Sequence, residues 1–373
     1  MSAPFWNSAA RGWRTDRIRG VSAFHENLPG YQRTRLVEVP ALAAELGVGR
    51  VVVKEESSRL GLPAFKMLGA VYAISRALSA RFGEPDRALS LEELRRAIAA
   101  HGPVELFAAT DGNHGRAVAH TARLLGLPAR IWFPDTLTGE AKDAIAGENA
   151  QTVELALAYD EVVAAAARAA HEAGESALLI QDTAWPGYQD IPQWIVDGYS
   201  TLFVEADAQL AELGIDRVDL VAVPVGVGSL AQAAVRHYRS TAAPRKVPPV
   251  VLSVEAAAAP AIVTSLHADR PVSVPTGRTV MSGLNCGTPS EIAWPILHAG
   301  LDAAVTVEED EAINAAHALQ SAGIDSGPCG AATLPGVRAL LTRTPARDAL
   351  EQDSTVLLLS TEGRAANPLS ETR

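Results

Sequence analysis

Cysteines and long apolar segments are both scarce in this sequence. Its two cysteines, Cys286 and Cys329, are too few for a disulfide framework or a zinc site. No apolar run approaches the roughly 18 to 20 residues that a membrane-spanning helix needs. Residues 1–20 are polar and lack the apolar centre of a signal peptide. These absences argue against secreted disulfide-rich and membrane-spanning classes, and we expect a soluble cytoplasmic protein without a metal site.

Positive charge is also in the minority. The 373 residues contain 32 Lys and Arg against 43 Asp and Glu, which gives a formal net charge of −11. A chain this acidic repels phosphate backbones and anionic lipid, so we expect neither nucleic acid nor membrane as a partner. A hydrophobic fraction of 48% and this length suit two buried cores. The chain therefore has the size and composition of a two-domain enzyme.

Strand-like and helix-like segments alternate along most of the chain, which predicts βαβ units and parallel sheets. A first set of strands is followed by helices, one of them over residues 65–82. A second set begins near Asp219. The predicted strands are residues 50–54, 105–110, 129–133, 151–155, 220–225, 250–254 and 355–359. The pattern predicts an α/β fold of two domains, each with a mostly parallel sheet flanked by helices.

The domain division follows from these two sets of strands. We predict a larger, cofactor-anchoring domain made of residues 1–84 with 190–373, and a smaller, substrate-closing domain made of residues 85–189, both with approximate limits. Residues 182–198 are rich in Trp, Pro, Gly and Tyr and show no clear period. We expect the chain to cross between the domains there.

Lys66 stands at the head of a predicted helix, just after a strand and a turn. The positive end of the helix dipole and an apolar setting both favour the neutral amine over the ammonium ion. A neutral amine is what Schiff-base chemistry requires. By itself, however, a lone lysine is far more often a surface residue with a buried stem.

Residues 110–115 read TDGNHG where a predicted strand gives way to a helix. Gly112 and Gly115 let the backbone approach a ligand, and the helix N-terminus offers unpaired amides to an anion such as a carboxylate. Asn113 adds a side chain that can both donate and accept. The alternative is a capped turn without a ligand.

Residues 225–231 read VGVGSLA directly after a buried strand, and glycines with free amides at such a turn make a phosphate cradle. The string also satisfies the dinucleotide fingerprint G-x-G-x-x-A, with Glu255 as the candidate ribose-binding acid. Glu255 lies 29 residues beyond Gly226, further than the usual separation of about 20. A nicotinamide-dependent oxidoreductase therefore stays an alternative, one that predicts indifference to Lys66→Ala.

A fourth polar string, LSTEG at residues 359–363, ends a late buried strand. Hydroxyl groups at the carboxyl end of a strand in an α/β sheet point into the ligand crevice. An ordinary turn at the strand end explains the string equally well.

Taken together, these four strings resemble the fold-type-II pyridoxal-phosphate enzymes, whose fold is that of the tryptophan synthase β chain. Longer strings are similar to the diaminopropionate ammonia-lyase family, from about residue 50 to residue 363. They are KEES at 54–57, AFK at 64–66, ATDGNHGR at 109–116, QDTAW at 181–185, GY at 187–188, IP at 191–192, WI at 194–195, GY at 198–199, GVGS at 226–229 and STEG at 360–363.

The resemblance implies that pyridoxal 5'-phosphate is the cofactor and that Lys66 carries its covalent Schiff-base link. It implies that Asn113 contacts the ring hydroxyl and that Ser360 faces the pyridine nitrogen, with Thr361 as the alternative. A neutral hydroxyl at that nitrogen favours expulsion of a β-leaving group over transamination. The phosphate would be bound by Gly226, Val227, Gly228, Ser229 and Leu230.

The resemblance also implies the catalytic residues and the reaction. Asp111 would act as an acid-base residue opposite Lys66, and Asp182 would hold the β-ammonium group or tune Asp111. The expected reaction is β-elimination of ammonia from 2,3-diaminopropionate, a small amino acid, giving pyruvate and ammonia. A homodimer is expected by resemblance alone. The substrate carboxylate would bind at Thr110, Gly112 and His114.

Three positions depart from the family pattern, since Arg364, Pro186 and Thr288 stand where acidic residues are usual. Fewer acidic groups near a site that binds a β-ammonium group would allow a substrate other than 2,3-diaminopropionate. The alternatives are a serine or threonine dehydratase and a β-replacement enzyme on the same scaffold. A further alternative is a pyridoxal-phosphate protein without catalysis, such as a sensor or carrier.

Overall fold

The computed structural model describes residues 4–16, 18–241, 247–342 and 350–369. Strands are β1 (Phe5–Trp6), β2 (Leu36–Glu38), β3 (Arg50–Glu55), β4 (Glu105–Ala109), β5 (Ala129–Pro134), β6 (Gln151–Leu155), β7 (Ala177–Leu179), β8 (Leu220–Pro224), β9 (Val250–Ala256), β10 (Ala303–Val307) and β11 (Thr355–Ser360). Helices are α1 (Val21–Glu26), α2 (Pro40–Leu46), α3 (Lys66–Arg81), α4 (Leu91–His101), α5 (Asn113–Leu125), α6 (Gly139–Ala146), α7 (Tyr159–Ala173), α8 (Asp190–Glu212), α9 (Ser229–Tyr238), α10 (Ala261–Ala268), α11 (Trp294–Gly300), α12 (Glu309–Ser321), α13 (Pro328–Ala331) and α14 (Thr333–Leu341). Short 3-10 helices are Ser8–Gly12, Gly174–Ser176 and Ser282–Leu284.

The strands form two sheets. The larger has seven strands in the order β1-β10-β9-β8-β11-β3-β2; its five inner strands are parallel and its two short edge strands are antiparallel. The smaller has four parallel strands in the order β6-β5-β4-β7. Inner strands such as β8 are buried along their whole length, as helices on both faces require. The predicted α/β fold with two mostly parallel sheets is confirmed.

All four strands of the smaller sheet lie between residues 105 and 179, inside the segment predicted as the smaller domain. The strands of the larger sheet come from both flanking segments, as an interrupted domain requires. The exact limits of both domains stay a prediction, and the outer ends of the larger domain, at residues 1 and 373, lie outside the described residues.

Helices α3 and α8 pack closely together beside the cleft between the sheets. A Cβ atom on Gly198 would lie 2.5 Å from the Leu68 carbonyl oxygen, and one on Gly69 would lie 2.5 Å from the Tyr199 ring. Only glycine permits this approach of two helix backbones. The contact places the start of α3, and therefore Lys66, at a fixed position beside Tyr199.

The sequence analysis found no clear period in residues 182–198 and so missed the helix that begins in their last part, while the crossing between domains there stays a prediction. Helix α8 runs from Asp190 to Glu212, with Pro192 in its first turn. Proline is tolerated there because the first-turn amides have no partner inside the helix. The reading also missed β1, β2, β7 and β10, the first three of which have only two or three residues.

A buried group of charged side chains joins the larger sheet to α8. The Lys54 ammonium and the Arg59 guanidinium both bind Glu205, at 2.8 Å and 2.6 Å. Arg59 also binds Glu56 at 2.7 Å, and all four side chains are almost fully buried. Buried charges are tolerated when they are paired and hydrogen-bonded in this way.

Across the part of the chain that the structure describes, no helix is both long enough and apolar enough to span a membrane.

Candidate active site

A cavity of about 630 Å³, including its mouth, lies in the cleft between the two sheets. Its walls come from segments that follow the carboxyl ends of β4, β8 and β11, where α/β proteins bind their ligands. The lining comprises Phe65, Lys66, Asp111, Asn113, Tyr159, Asp182, Tyr199, residues 224–230, Gly283, Leu284, Cys286, Cys329, Thr361 and Glu362.

Lys66 and Asp182 form an ion pair in this cavity. The Lys66 Nζ atom donates to Asp182 Oδ2 at 2.5 Å. Burial disfavours the ammonium ion, but the adjacent Asp182 carboxylate outweighs burial and raises the pKa of Lys66 well above its ordinary value. Burial also opposes the Asp182 carboxylate, and Lys66 overcomes this and lowers the pKa of Asp182 to about 2. Both groups are therefore charged at neutral pH.

Asp111 lies on the cavity wall directly before α5, and its environment has the opposite effect. Burial raises the pKa of Asp111 to about 6, and the nearby Lys66 ammonium only partly counteracts this. A carboxyl group with a pKa near neutrality can exchange a proton at physiological pH. Asp111 and Asp182 thus have separated pKa values within one cavity, so that one carboxyl group can exchange a proton while the other stays charged.

Three residues of the TDGNHG segment, Thr110, Gly112 and His114, are absent from the cavity lining. The Thr110 hydroxyl oxygen accepts hydrogen bonds from the amides of Gly112 and Gly115, both at 2.8 Å, and so shapes the turn. His114 is buried with Nε2 2.8 Å from the Ile180 carbonyl oxygen. Its Nδ1 atom lies 3.9 Å from Asp182 Oδ2, and burial lowers the pKa of the ring.

Asn113 lines the cavity at the first residue of α5. Its amide nitrogen donates to Glu362 Oε2 at 2.6 Å, so one bond joins the two walls of the cleft. Glu362 is 2% exposed, and burial raises the pKa of its carboxyl group. The sequence reading assigned no role to this residue.

The glycine segment after β8 has the form of a phosphate cradle. A Cβ atom on Gly226 would lie 2.9 Å from the Gly283 carbonyl oxygen and 3.0 Å from Cys286 Sγ, so no larger residue fits. Gly228 has a φ of 105°, which side chains disfavour. Ser229 begins α9, whose first amides have no partner within the helix and suit an anion. Val227 and Leu230 complete this wall of the cavity.

The strand-end hydroxyls are divided between the cavity and the core. The Ser360 hydroxyl donates to Ser326 Oγ at 2.8 Å and is fully buried, and Ser360 is not part of the lining. Thr361, the alternative position, does line the cavity. Among the described side chains, no group of three His, Cys, Asp or Glu residues is placed to hold a metal ion.

No role in this site was predicted for Tyr159 and Tyr199, and Cys286 and Cys329 were predicted to be packing residues. Both tyrosines line the cavity, and burial raises the pKa of each phenol. Both cysteines are buried free thiols whose pKa burial raises, so they remain unreactive thiols at neutral pH. The aromatic residues carried no local signal, because only tertiary packing brings α7 and α8 to the cleft.

The three departures from the family pattern lie outside the cavity lining. Arg364 is exposed and pairs with Asp325 at 2.9 Å. The Thr288 hydroxyl donates to Asp160 Oδ2 at 2.8 Å. Pro186 lies in the turn between Trp185 and Tyr188, whose backbones bond to each other.

Glu255 does not fit the role of a ribose-binding acid. Its carboxylate oxygens accept from the amides of Ile262 and Val263 at the start of α10, both at 2.7 Å. Complete burial raises its pKa to about 8. The carboxyl group therefore caps the first turn of α10, and it is absent from the cavity that the glycine segment lines.

The cavity thus has a lysine amine, two neighbouring carboxyl groups and a phosphate cradle, and this set fits pyridoxal phosphate. A lysine amine that faces the cavity can link to the aldehyde of this cofactor, while free amides at a helix N-terminus can hold its phosphate.

Comparison with known proteins agrees with this fit. The family model for "Pyridoxal-phosphate dependent enzyme" matches residues 28–362. The diaminopropionate ammonia-lyase of Escherichia coli (strain K12) is 36% identical over 353 residues, covering 91% of this chain and 86% of that protein. The enzyme of the same description from Salmonella typhimurium (strain LT2) is 34% identical over 371 residues, covering 94% and 90%. The crystal structure of the Escherichia coli enzyme in complex with D-serine has a TM-score of 0.87 and 31% identity, covering 97% of this chain and 94% of that chain. This chain therefore belongs to the diaminopropionate ammonia-lyase family of pyridoxal-phosphate-dependent enzymes.

Proposed function

We propose that this chain catalyses the β-elimination of ammonia from 2,3-diaminopropionate, giving pyruvate and ammonia. The observation that carries the proposal is the meeting of Lys66, Asp111 and Asp182 in one cavity, with the two carboxyl pKa values at about 6 and about 2. Two carboxyl groups with separated pKa values around one lysine supply both a proton acceptor and a fixed negative charge.

In this proposal, Lys66 is the attachment point for pyridoxal phosphate, and residues 226–230 hold the phosphate. Asn113 contacts the ring hydroxyl, and Ser360 or Thr361 faces the ring nitrogen. Thr361 is the better placed of the two, because it lines the cavity while the Ser360 hydroxyl is bonded to Ser326. When bound, the cofactor supplies the electron sink that stabilises negative charge at the substrate α-carbon.

Proton removal from the α-carbon is assigned to Asp111 and Lys66. A carboxyl group with a pKa of about 6 is mostly deprotonated at neutral pH and can accept the α-proton. Lys66, once displaced by the substrate amine, can accept it from the other side. Two bases on opposite faces would allow both enantiomers to react.

Asp182 is assigned to the leaving group. In the protein without cofactor the Lys66 ammonium lowers the pKa of Asp182, and in the reaction the substrate β-ammonium would take the place of that cation beside the carboxylate. The bond between the β-carbon and nitrogen breaks, and the nitrogen leaves as ammonia with the electron pair of that bond. The unsaturated product then adds water and releases a second ammonia, leaving pyruvate.

The segment at residues 110–114 is assigned to the substrate carboxylate. Thr110 is fully buried behind the cavity wall, where its oxygen accepts hydrogen bonds from the amides of Gly112 and Gly115 and so holds the turn that would face the carboxylate. The N-terminus of α5 at Asn113 adds a favourable dipole. His114 supports the turn from behind through its bond to Ile180.

We also propose a cytoplasmic homodimer. The two buried cysteines are free thiols, as a reducing compartment requires. Light scattering of the purified protein would measure its mass against 39.1 kDa for one chain.

The function is tested by supplying the cofactor-loaded protein separately with D- and L-2,3-diaminopropionate and measuring pyruvate. Release from either enantiomer supports the proposal, and release from both supports two bases. D- and L-serine and L-threonine serve as competing substrates. Turnover of these with no reaction of diaminopropionate would replace the proposal with a dehydratase.

A further inference from the structure

Hydrogen-bond donors from three residues converge on the buried carboxylate of Glu362. Oε2 accepts from Asn113 Nδ2 at 2.6 Å. Oε1 accepts from the Cys329 amide at 3.2 Å and from Asn367 Nδ2 at 3.3 Å. All three partners are donors, so only a group that accepts through both oxygens matches them.

The side chain of Glu362 is held in one position. A Cβ atom on Gly327 would lie 2.9 Å from Glu362 Oε1 and 3.0 Å from its Cγ, so Gly327 leaves room for this side chain alone. The Glu362 carbonyl oxygen accepts from the Gly327 amide at 2.9 Å. Its backbone also pairs with that of Ala64, two residues before Lys66.

This fixed carboxylate determines how Asn113 is oriented. A side-chain amide is planar, and its nitrogen and oxygen point in two different directions from the same trigonal carbon. Because the Asn113 nitrogen is bound to Glu362, its oxygen is turned away from Glu362. Rotation of the amide by 180° would bring its oxygen against a carboxylate oxygen, which is unfavourable when both are acceptors.

We propose that Glu362 is a positioning residue that fixes the orientation of the Asn113 amide and thereby sets the hydrogen bond that Asn113 offers to the ring hydroxyl of the cofactor. The inference rests on the role proposed for Asn113 at the cofactor. The new element is the Glu362 carboxylate, which binds Asn113 from the opposite wall of the cleft. Burial raises the pKa of Glu362, and the hydrogen bonds from its partners counteract this by stabilising the charged carboxylate.

A double-mutant cycle tests this. Glu362→Gln keeps the shape but introduces an NH2 group, which must face at least one of the three donors. We expect Glu362→Gln and Asn113→Ala each to weaken binding of pyridoxal phosphate to the apoprotein by about tenfold, the effect of losing a hydrogen bond to a charged group. In the double variant, Glu362→Gln should add almost nothing to the loss from Asn113→Ala.

A second readout is the absorption spectrum of the bound cofactor as a function of pH. If Glu362 sets the bond to the ring hydroxyl, Glu362→Gln shifts the pH at which the spectrum changes, and it does so only when Asn113 is present. Glu255→Gln is the matched control, because Glu255 is also a buried carboxyl group that accepts two backbone amides, but outside the cavity. It should leave both readouts unchanged.

Equal losses from Glu362→Gln with and without Asn113 would overturn the inference, as would unchanged cofactor binding in Asn113→Ala. Thermal unfolding of each apoprotein checks that the variants fold. If Glu362→Gln does not fold, Glu362→Asp replaces it in the cycle, since it keeps the charge and shortens the reach. A wild-type protein that binds cofactor but releases no pyruvate would contradict the proposed function alone, because neither readout depends on turnover.

Discussion

Lys66 Nζ and Asp182 Oδ2 lie 2.5 Å apart, although 116 residues separate them in the sequence. Lys66 begins α3 after a strand of the larger sheet, and Asp182 follows β7 at the edge of the smaller sheet. The pair therefore bridges the cleft from one sheet to the other. The Ser229 hydroxyl also donates to the Asp182 carbonyl oxygen at 2.8 Å, so the same residue contacts the glycine segment.

Replacing Lys66 with Ala should abolish the covalent attachment of the cofactor. The chain has only four lysines, Lys54, Lys66, Lys142 and Lys246. Lys54 is buried and its pKa is lowered by burial, but its ammonium is bound to Glu205 and Gln209 outside the cavity. Borohydride reduction followed by peptide mass analysis should locate the cofactor on Lys66 in the wild type and nowhere in Lys66→Ala. Lys142→Ala is the control, and trapping on Lys54 would refute the assignment.

Asp182→Asn should change the pH at which the apoprotein captures the cofactor. An amine attacks an aldehyde only when it is neutral, so capture accelerates as pH rises through the pKa of Lys66. Removing the carboxylate leaves burial as the main influence and lowers that pKa. The midpoint of capture rate against pH should move down by about one to three units.

The rate of this capture can be followed by the absorbance of the bound cofactor. Asp190→Asn, at the exposed start of α8, is the control and should keep the wild-type midpoint. A midpoint that stays the same in Asp182→Asn would show that Asp182 does not control the charge of Lys66.

Asp111→Asn should keep the cofactor and its colour but lose turnover of at least one enantiomer, by roughly 10²- to 10⁴-fold. A carboxylate base works only when deprotonated, so wild-type kcat/KM for that enantiomer should fall as pH drops below about 6. This acidic limb should disappear in the variant. The acidic limb is measured from steady-state rates across pH. Asp143→Asn, on the surface of α6, is the control. Unchanged rates with both enantiomers would exclude the assigned role.

The sequence predicted the parts of the site that depend on local structure. Residues 226–230 follow a buried strand and open a helix, and this arrangement is readable from neighbouring residues alone. The bond between Asn113 and Glu362 is different, since it joins positions 249 apart across two sheets. No periodic pattern in the sequence shows that Glu362 is buried or that several hydrogen-bond donors meet at its carboxylate.

The same distinction explains the missed helix start and the strand-end hydroxyls. The first turns of α8 contain Pro192 and polar residues, and their helical form depends on packing against α3 as much as on propensity. Ser360 ends a strand as expected, but its hydroxyl faces Ser326 in the core instead of the cavity. A shift of one residue along a strand reverses the side that a side chain faces, and Thr361 is on the cavity side.

Glu205→Ala should destabilise the protein far more than a similar change on the surface of the same helix. Glu205 binds both Lys54 and Arg59, and its removal leaves the buried Lys54 without a bonded carboxylate and Arg59 with Glu56 alone. Breaking a buried pair in this way costs about 3–5 kcal/mol. Glu212→Ala removes an exposed partner of Arg33, which is worth about 0–1 kcal/mol.

The two free energies of unfolding can be compared by urea denaturation. Although burial opposes the charge, Arg59 and Lys54 lower the pKa of Glu205 from 4.5 to about 2. Its charged form therefore stabilises the folded state fully above about 4.5, and this contribution is lost as pH falls toward about 2. The difference between wild type and Glu205→Ala should shrink over that range, while Glu212→Ala should show no comparable trend. Equal effects of the two variants at neutral pH would mean that the buried charges have found other partners.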